Sequence, residues 1–203
     1  MRAFVLLFGV LLFGLFVADG ARAEDQKNSP PQLPANFPIS FGGPFALTDH
    51  TGKAVTDQTY RGKFMLIYFG YTYCPDICPT NLQTMADALD QLGTQAKKVK
   101  PLFISIDPAR DTAKLLKPYV AAFHPSIVGL TGTEVQVSAV AKSFRQHRQK
   151  VPTEETKKDP NDYLVAHSSI TFLMGPDGKF VTLFPHDTKA GFMAKVMAKY
   201  LRS

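Results

Sequence analysis

Cys74 and Cys78 are the only cysteines in the 203 residues of the chain, and residues 69–79 around them read Phe-Gly-Tyr-Thr-Tyr-Cys-Pro-Asp-Ile-Cys-Pro. Two thiols at this spacing have two chemistries: they bind a soft metal as thiolates, or they cycle between dithiol and disulfide. A four-residue offset brings two helical Cα atoms to about 6 Å, which suits a chelate and a disulfide equally. A purely structural disulfide is disfavoured because so small a loop gives little entropic stabilisation. The cysteine pair alone therefore leaves both chemistries open.

The cysteines lie between a predicted buried strand and a predicted helix. Residues 64–70 form an almost continuous apolar run, which is typical of a central strand. Downstream, apolar residues recur at the spacing of an amphipathic helix: Leu82, Met85, Leu89 and Leu92. Pro79 suits the first turn of this helix, which predicts Cys78 at the N-cap and Cys74 in the preceding loop. Asp76 is expected to accept a backbone N–H there, and the positive helix end favours thiolates.

A metal would need a third ligand, and the chain offers five histidines: His50, His124, His147, His167 and His186. His167 stands out because it precedes a predicted strand, 170–174, that we expect beside the cysteine-bearing strand. Its segment, 166–169, has no proline, whereas thioredoxin-like oxidoreductases carry a cis proline facing the dithiol at that place. Two thiolates and one imidazole suit Cu(I) better than zinc, which usually takes four ligands. The residues thus favour copper on Cys74, Cys78 and His167 over a metal-free dithiol reductase.

The remaining pattern predicts the elements that position this site. Strand-like and helix-like segments alternate from residue 64 to 144, a short hairpin is expected over 44–56, and a second hairpin over 170–184. Residues 145–162 are charged without an apolar period and are predicted to form an exposed inserted loop. We predict an α/β, thioredoxin-like fold: a central mixed β-sheet flanked by helices, with an N-terminal hairpin and the charged loop.

The N-terminal residues indicate export. Residues 3–18 are almost wholly apolar, Arg2 precedes them, and Ala21-Arg22-Ala23 follows, which is the pattern of a secretory signal peptide. An uncleaved membrane anchor is the alternative, although the run is short for a spanning helix of roughly 20 residues. The predicted organisation is a signal peptide or anchor at 1–23, a proline-rich tether at 24–40 and one domain at 41–203. The domain is expected in the periplasm, soluble after cleavage or anchored to the inner membrane.

Charge excludes one class of partner. The net charge is +6, and the excess lysines are spread along the chain rather than clustered with aromatic residues. Nucleic-acid-binding proteins usually concentrate such charge on one face, so no nucleic-acid partner is predicted. A mild basic excess is more compatible with an anionic membrane surface or an acidic partner.

Several long motifs in one order resemble the Sco/SenC family of extracytoplasmic copper-binding proteins. The resemblance runs from about Phe41 to the C-terminus and is carried by residues 68–79, 104–112 and 129–132, and by His167-Ser168 ahead of 175–178. It implies a thioredoxin-like fold with copper bound by Cys74, Cys78 and His167; whether as Cu(I) or Cu(II) stays open. It also implies assembly of the binuclear copper centre of cytochrome c oxidase subunit II, by copper delivery or by reduction of the receiving cysteines.

Two features of the resemblance bear on the site. Asp107, Arg110 and Asp111 match the family's Asp-Pro-x-Arg-Asp-Thr segment, which can be a capped turn with an internal ion pair or a partner contact. At Ala166 the chain departs from the family, which usually has Asp directly before the histidine. An acid there can orient the imidazole or tune the site electrostatically.

Three functions therefore compete. The first is a copper metallochaperone with thiol–disulfide reductase activity, whose partner is oxidase subunit II or another copper or thiol protein. The second is a periplasmic thiol–disulfide oxidoreductase that uses Cys74 and Cys78 without a metal. A peroxidase is weaker, because Thr72 stands two residues before Cys74 where peroxiredoxins have it three before.

Overall fold

The computed structural model describes residues 41–202. The predicted signal or anchor segment at 1–23 and the tether at 24–40 lie outside these residues and remain predictions. Among residues 41–202, no helix combines the length and hydrophobicity that crossing a bilayer requires.

The described residues form nine strands and four α-helices. The strands are β1 (Ala46–Asp49), β2 (Ala54–Thr56), β3 (Phe64–Gly70), β4 (Val99–Ser105), β5 (Val128–Thr131), β6 (Arg148–Pro152), β7 (Tyr163–His167), β8 (Thr171–Met174) and β9 (Phe180–Phe184). The helices are α1 (Ile77–Leu92), α2 (Ala113–Ala121), α3 (Glu134–Ser143) and α4 (Ala190–Tyr200). Short 3₁₀ turns occupy Asp57–Tyr60, Gly93–Lys98 and Glu155–Lys157.

Seven strands form one mixed sheet in the order β2-β1-β5-β4-β3-β8-β9. Strands β3, β4 and β5 run parallel, as expected for strands joined by helical crossovers, whereas β8 and β9 add an antiparallel hairpin beside β3. Helices α1 and α4 pack against one another, and α2 packs on β5. The predicted α/β fold, its N-terminal hairpin and the position of β8 next to β3 are confirmed.

The centre of the sheet explains why β3 reads as a continuous apolar run. Leu66, Ile67, Tyr68 and Phe69 are inaccessible to solvent, because β3 lies between β4 and β8 with both faces covered. This burial makes the end of β3 a rigid base for the cysteine-bearing segment that follows it.

The charged segment is not wholly the loop that the sequence predicts. Its residues Arg148–Pro152 form β6, which pairs antiparallel with β7 in a separate two-stranded sheet, hereafter the ribbon. Residues 149–152 are exposed, so the strand has no buried face to generate an apolar alternation. The ribbon register places Arg148 opposite His167.

Candidate metal centre

Residues 71–76, hereafter the cysteine loop, connect β3 to α1 and carry Cys74 close to the N-terminus of the helix. Asp76 is the N-cap residue but its side chain makes no capping bond, so the predictions of Cys78 at the cap and of an Asp76 side-chain cap are wrong. Instead the Cys78 amide donates to Cys74 Sγ at 3.4 Å. The sulfur thus takes the place of the capping oxygen, and Cys78 lies inside the first helical turn.

His167 closes the site from the other side. It is the last residue of β7, and its Nε2 lies 3.4 Å from Cys78 Sγ although the two residues are 89 positions apart in sequence. One ligand atom from each of Cys74, Cys78 and His167 lies within 4.8 Å of the other two. The fold therefore brings together all three residues that the sequence selected.

The three donor atoms fit a small soft cation. With zinc–sulfur and zinc–nitrogen bonds of about 2.3 and 2.1 Å as a guide, a metal at the centre of a triangle needs donors roughly 4 Å apart. The observed separations meet this requirement without a large rearrangement. Two sulfurs and one imidazole nitrogen match the preference of Cu(I) for soft ligands at low coordination number.

The imidazole of His167 is oriented by its own chain. Its Nδ1 lies 3.1 Å from the carbonyl oxygen of Ser168, which as an acceptor holds the proton on Nδ1 and leaves the Nε2 lone pair facing the sulfurs. Along β7, Tyr163 and Val165 face inward while Ala166 is exposed. An acid at position 166 would thus start from the outer face of the ribbon, and in this chain the carbonyl group of Ser168 orients the imidazole instead.

Protonation distinguishes the two sulfurs. Hydrogen bonds from the Cys78 thiol and from backbone amides at the helix start lower the pKa of the Cys74 thiol to about 4, against the opposing effect of burial. The hydrogen bond to Cys74, together with burial, raises the pKa of Cys78 above its usual range. The pair therefore holds one proton at neutral pH, with the thiolate on the half-buried Cys74 and the proton on the buried Cys78.

A buried carboxylate, that of Asp111, anchors the cysteine loop through hydrogen bonds. Asp111 is inaccessible to solvent and accepts hydrogen bonds from Thr72 N at 3.1 Å, Thr72 Oγ1 at 2.5 Å and Ser105 Oγ at 2.6 Å. Asp107 is also fully buried and accepts from Arg110 Nε at 2.5 Å. Of the two interpretations of this motif, the internal turn with an ion pair describes Asp107 and Arg110, whereas Asp111 bonds the cysteine loop and β4 through neutral donors.

Two tyrosines next to the site were missed by the sequence reasoning. The Tyr71 hydroxyl accepts a hydrogen bond from Val165 N at 3.1 Å, and its ring meets the imidazole of His167 edge-on with centroids 5.9 Å apart. The ring of Tyr68, on β3, lies 6.3 Å from the same imidazole. The sequence signal that could have identified them is a tyrosine within or next to a buried apolar run, because its buried hydroxyl needs a hydrogen-bond partner.

The other four histidines have different surroundings. His50 Nδ1 accepts from Gly129 N, His124 Nδ1 accepts from Ser126 N, and His186 Nδ1 lies 2.9 Å from Asn81 Nδ2. His147 is exposed. Within residues 41–202, Cys74, Cys78 and His167 are the one cluster of three metal-binding side chains.

Known proteins are similar to this chain in sequence and in fold. The SCO1/SenC family model matches residues 34–202. The human protein "Protein SCO1 homolog, mitochondrial" is 44% identical over 196 residues, which cover 96% of this chain and 63% of that protein. The chain thus spans less than two thirds of that relative's length.

Two solved structures extend the comparison to three dimensions. Arabidopsis thaliana ScoI with copper bound has a TM-score of 0.74 at 39% identity, covering 80% of this chain and 98% of its own. Bradyrhizobium japonicum ScoI with copper bound has a TM-score of 0.72 at 42% identity, covering 79% and 99%. These neighbours confirm the thioredoxin-like fold class, and together with the match over 34–202 they show that the chain belongs to the SCO1/SenC family.

Proposed function

We propose that this protein binds copper through Cys74, Cys78 and His167 and acts in cytochrome c oxidase assembly. The observation that carries the proposal is the convergence of two sulfurs and one imidazole within 4.8 Å. Support comes from the copper-bound ScoI structures, which share its fold at 39% and 42% identity. More specifically, we propose that it delivers copper to the binuclear centre of oxidase subunit II or reduces the subunit II cysteines that receive the copper.

The geometry suggests an order of events for copper as cargo. Cys74 is half-buried and already a thiolate, whereas Cys78 is fully buried, so copper enters and leaves at the Cys74 and His167 side. An incoming thiolate is a softer and more strongly donating ligand than neutral imidazole. Ligand exchange therefore displaces His167 first and leaves the two cysteine sulfurs to release copper afterwards.

A second function, thiol–disulfide reduction, is favoured by the asymmetry of the sulfurs. The Cys74 thiolate attacks one sulfur of a partner disulfide and expels the other as a thiolate, which forms a mixed disulfide. Cys78 then passes its proton to the partner thiolate expelled first and attacks Cys74, which breaks the mixed disulfide and releases the partner's other sulfur as a thiolate. Two electrons pass to the partner, and this protein ends with a Cys74–Cys78 disulfide.

Copper titration separates the two functions. Reduced wild-type protein is expected to retain one equivalent of Cu(I). His167→Ala should bind at least about 10- to 100-fold more weakly, because loss of a ligand should cost no less than loss of a residue that supports one. His147→Ala is the matched control because that side chain is exposed and outside the cluster. Equal affinity in wild type and His167→Ala would remove His167 from the site.

The reductase function is measured on the same variants without metal. Reduction of an oxidised dithiol peptide from subunit II should survive His167→Ala and be lost in Cys74→Ser, which lacks the attacking thiolate. If the reduced wild type transfers no electrons to that peptide, the second function is abandoned and copper delivery stands alone.

The proposed compartment is the periplasm, with the domain soluble after signal cleavage or held at the inner membrane. Residues 1–23 support this, since their basic start, apolar run and Ala-Arg-Ala end match a signal peptide. The intact mass of the mature protein distinguishes the alternatives, because cleavage would leave Glu24 as the first residue.

A further inference from the structure

The placement of His167 depends on a ribbon that lacks support from the main sheet. Within residues 41–202, β6 and β7 pair only with each other and form no ladder with the seven-stranded sheet. An isolated two-stranded sheet is marginally stable in water. Side-chain contacts must therefore hold the ribbon against the rest of the domain, and with it the imidazole at the end of β7.

Two arginines tie the ribbon to the domain: Arg148 on β6 bonds Ile106 and Glu134, and Arg110 holds the end of β7 that begins at Tyr163. Arg110 Cζ lies 3.7 Å from the ring centroid of Tyr163 and 4.6 Å from that of Tyr73. Its Nη1 donates to the carbonyl oxygen of Asn161 at 2.9 Å, and its Nε pairs with Asp107. The Arg110 side chain is only 8% exposed. We call Arg110 and its four partners the clasp.

The clasp joins the two halves of the copper site. Tyr73 directly precedes Cys74 on the cysteine loop, and Tyr163 begins the strand that ends at His167. Asp107 accepts a hydrogen bond from the Tyr163 hydroxyl at 2.8 Å in addition to pairing with the guanidinium. Tyr163, the first residue of β7, is therefore held both through its ring, by Arg110, and through its hydroxyl, by Asp107. The guanidinium therefore touches both the loop that carries one ligand and the strand that carries another.

We propose that Arg110 is a positioning residue for the copper site, which holds the ribbon against the cysteine loop so that His167 meets the sulfurs. The inference rests on the proposed copper function. Lysine cannot replace Arg110 here, because its compact ammonium lacks the planar fork that stacks on rings and reaches Asp107 and Asn161 together. Arg110→Lys keeps the charge and removes this geometry.

Hydrogen exchange of the metal-free reduced protein tests the positioning directly. In Arg110→Lys, amides of residues 163–167 should exchange at least about tenfold faster, since local opening of the ribbon is less costly, while amides of β4 keep their wild-type protection. Arg61→Lys is the matched control, because Arg61 pairs with Asp57 and contacts no site residue. Equal acceleration in the ribbon and β4 would show a global stability role and overturn the proposal.

A double-mutant cycle asks whether Arg110 acts through His167. Arg110→Lys should weaken Cu(I) binding about tenfold in the wild-type background, as for other outer partners of metal ligands, and change nothing further in His167→Ala. No loss in the first background, or an equal loss in both, refutes the proposal. If His167→Ala alone binds copper like wild type, the proposed ligand set is wrong. The exchange experiment on the metal-free protein still tests whether Arg110 holds the ribbon in place.

A second variant protects the test against misfolding of Arg110→Lys. Tyr73 is 58% exposed, so Tyr73→Ala removes one ring from the clasp with little loss of buried surface. Ribbon exchange should rise about threefold, the equivalent of an exposed cation–π contact. Wild-type exchange in Tyr73→Ala would exclude this ring from the clasp and contradict the proposed link to the cysteine loop.

Discussion

Replacing Asp111 with alanine is expected to lower the free energy of unfolding by about 2–4 kcal/mol. The change removes the acceptor of three donors around the cysteine loop: the Ser105 hydroxyl, the Thr72 amide and the Thr72 hydroxyl. The Thr72 hydroxyl can rotate toward water because Thr72 is only half-buried, so two donors stay unsatisfied. Each buried donor left unsatisfied costs about 1–3 kcal/mol. We take the lower part of the summed range because burial, reinforced by the charge of Asp107, raises the pKa of Asp111, so its ionised form already carries a desolvation cost.

Urea denaturation of the reduced, metal-free protein measures this difference, and thermal unfolding should show a midpoint lower by roughly 4–16 °C for a domain of this size. Asp87→Ala is the matched control, because Asp87 lies on the exposed face of α1 and accepts only from Gln83 within the described residues. Its free energy of unfolding should change by less than about 0.5 kcal/mol. A loss below about 1 kcal/mol in Asp111→Ala, or one that the control matches, would contradict the assigned role of the carboxylate.

Two further predictions concern the cysteines. Gly70→Ala should lower the free energy of unfolding by about 1–3 kcal/mol in urea titration, because the new Cβ would lie 2.8 Å from both Cys78 Sγ and the Phe103 ring; an unchanged midpoint would contradict it. Alkylation of Cys74 by iodoacetamide in the apo protein should vary little from pH 6 to 8, because a pKa lowered to about 4 keeps the thiolate populated throughout. An ordinary thiol would speed up roughly 75-fold over that range, and such a rise would refute the assignment.

The elements around the site follow largely from local pattern. The apolar run of β3 and the spacing of Leu82, Met85 and Leu89 predict a buried strand and an amphipathic helix, and both are present. The ribbon could not be predicted in this way, because β6 is exposed and its residues carry no alternation. The prediction of the helix cap was wrong for a related reason. Sequence propensity predicts a side-chain oxygen as the acceptor at a helix N-terminus, whereas in the fold the Cys78 amide donates to the sulfur of Cys74.

By itself the sequence determined the donor set. Two cysteines, and one histidine ahead of a strand beside theirs, were enough to select copper over zinc, since ligand type and number are properties of residue identity. The tertiary structure decided how those donors differ. It brings residues 89 positions apart to 3.4 Å, leaves one proton between the two sulfurs, and turns Ala166 away from the imidazole that Ser168 orients. Distance, burial and hydrogen-bond direction set these properties, and they exist only once the chain is folded.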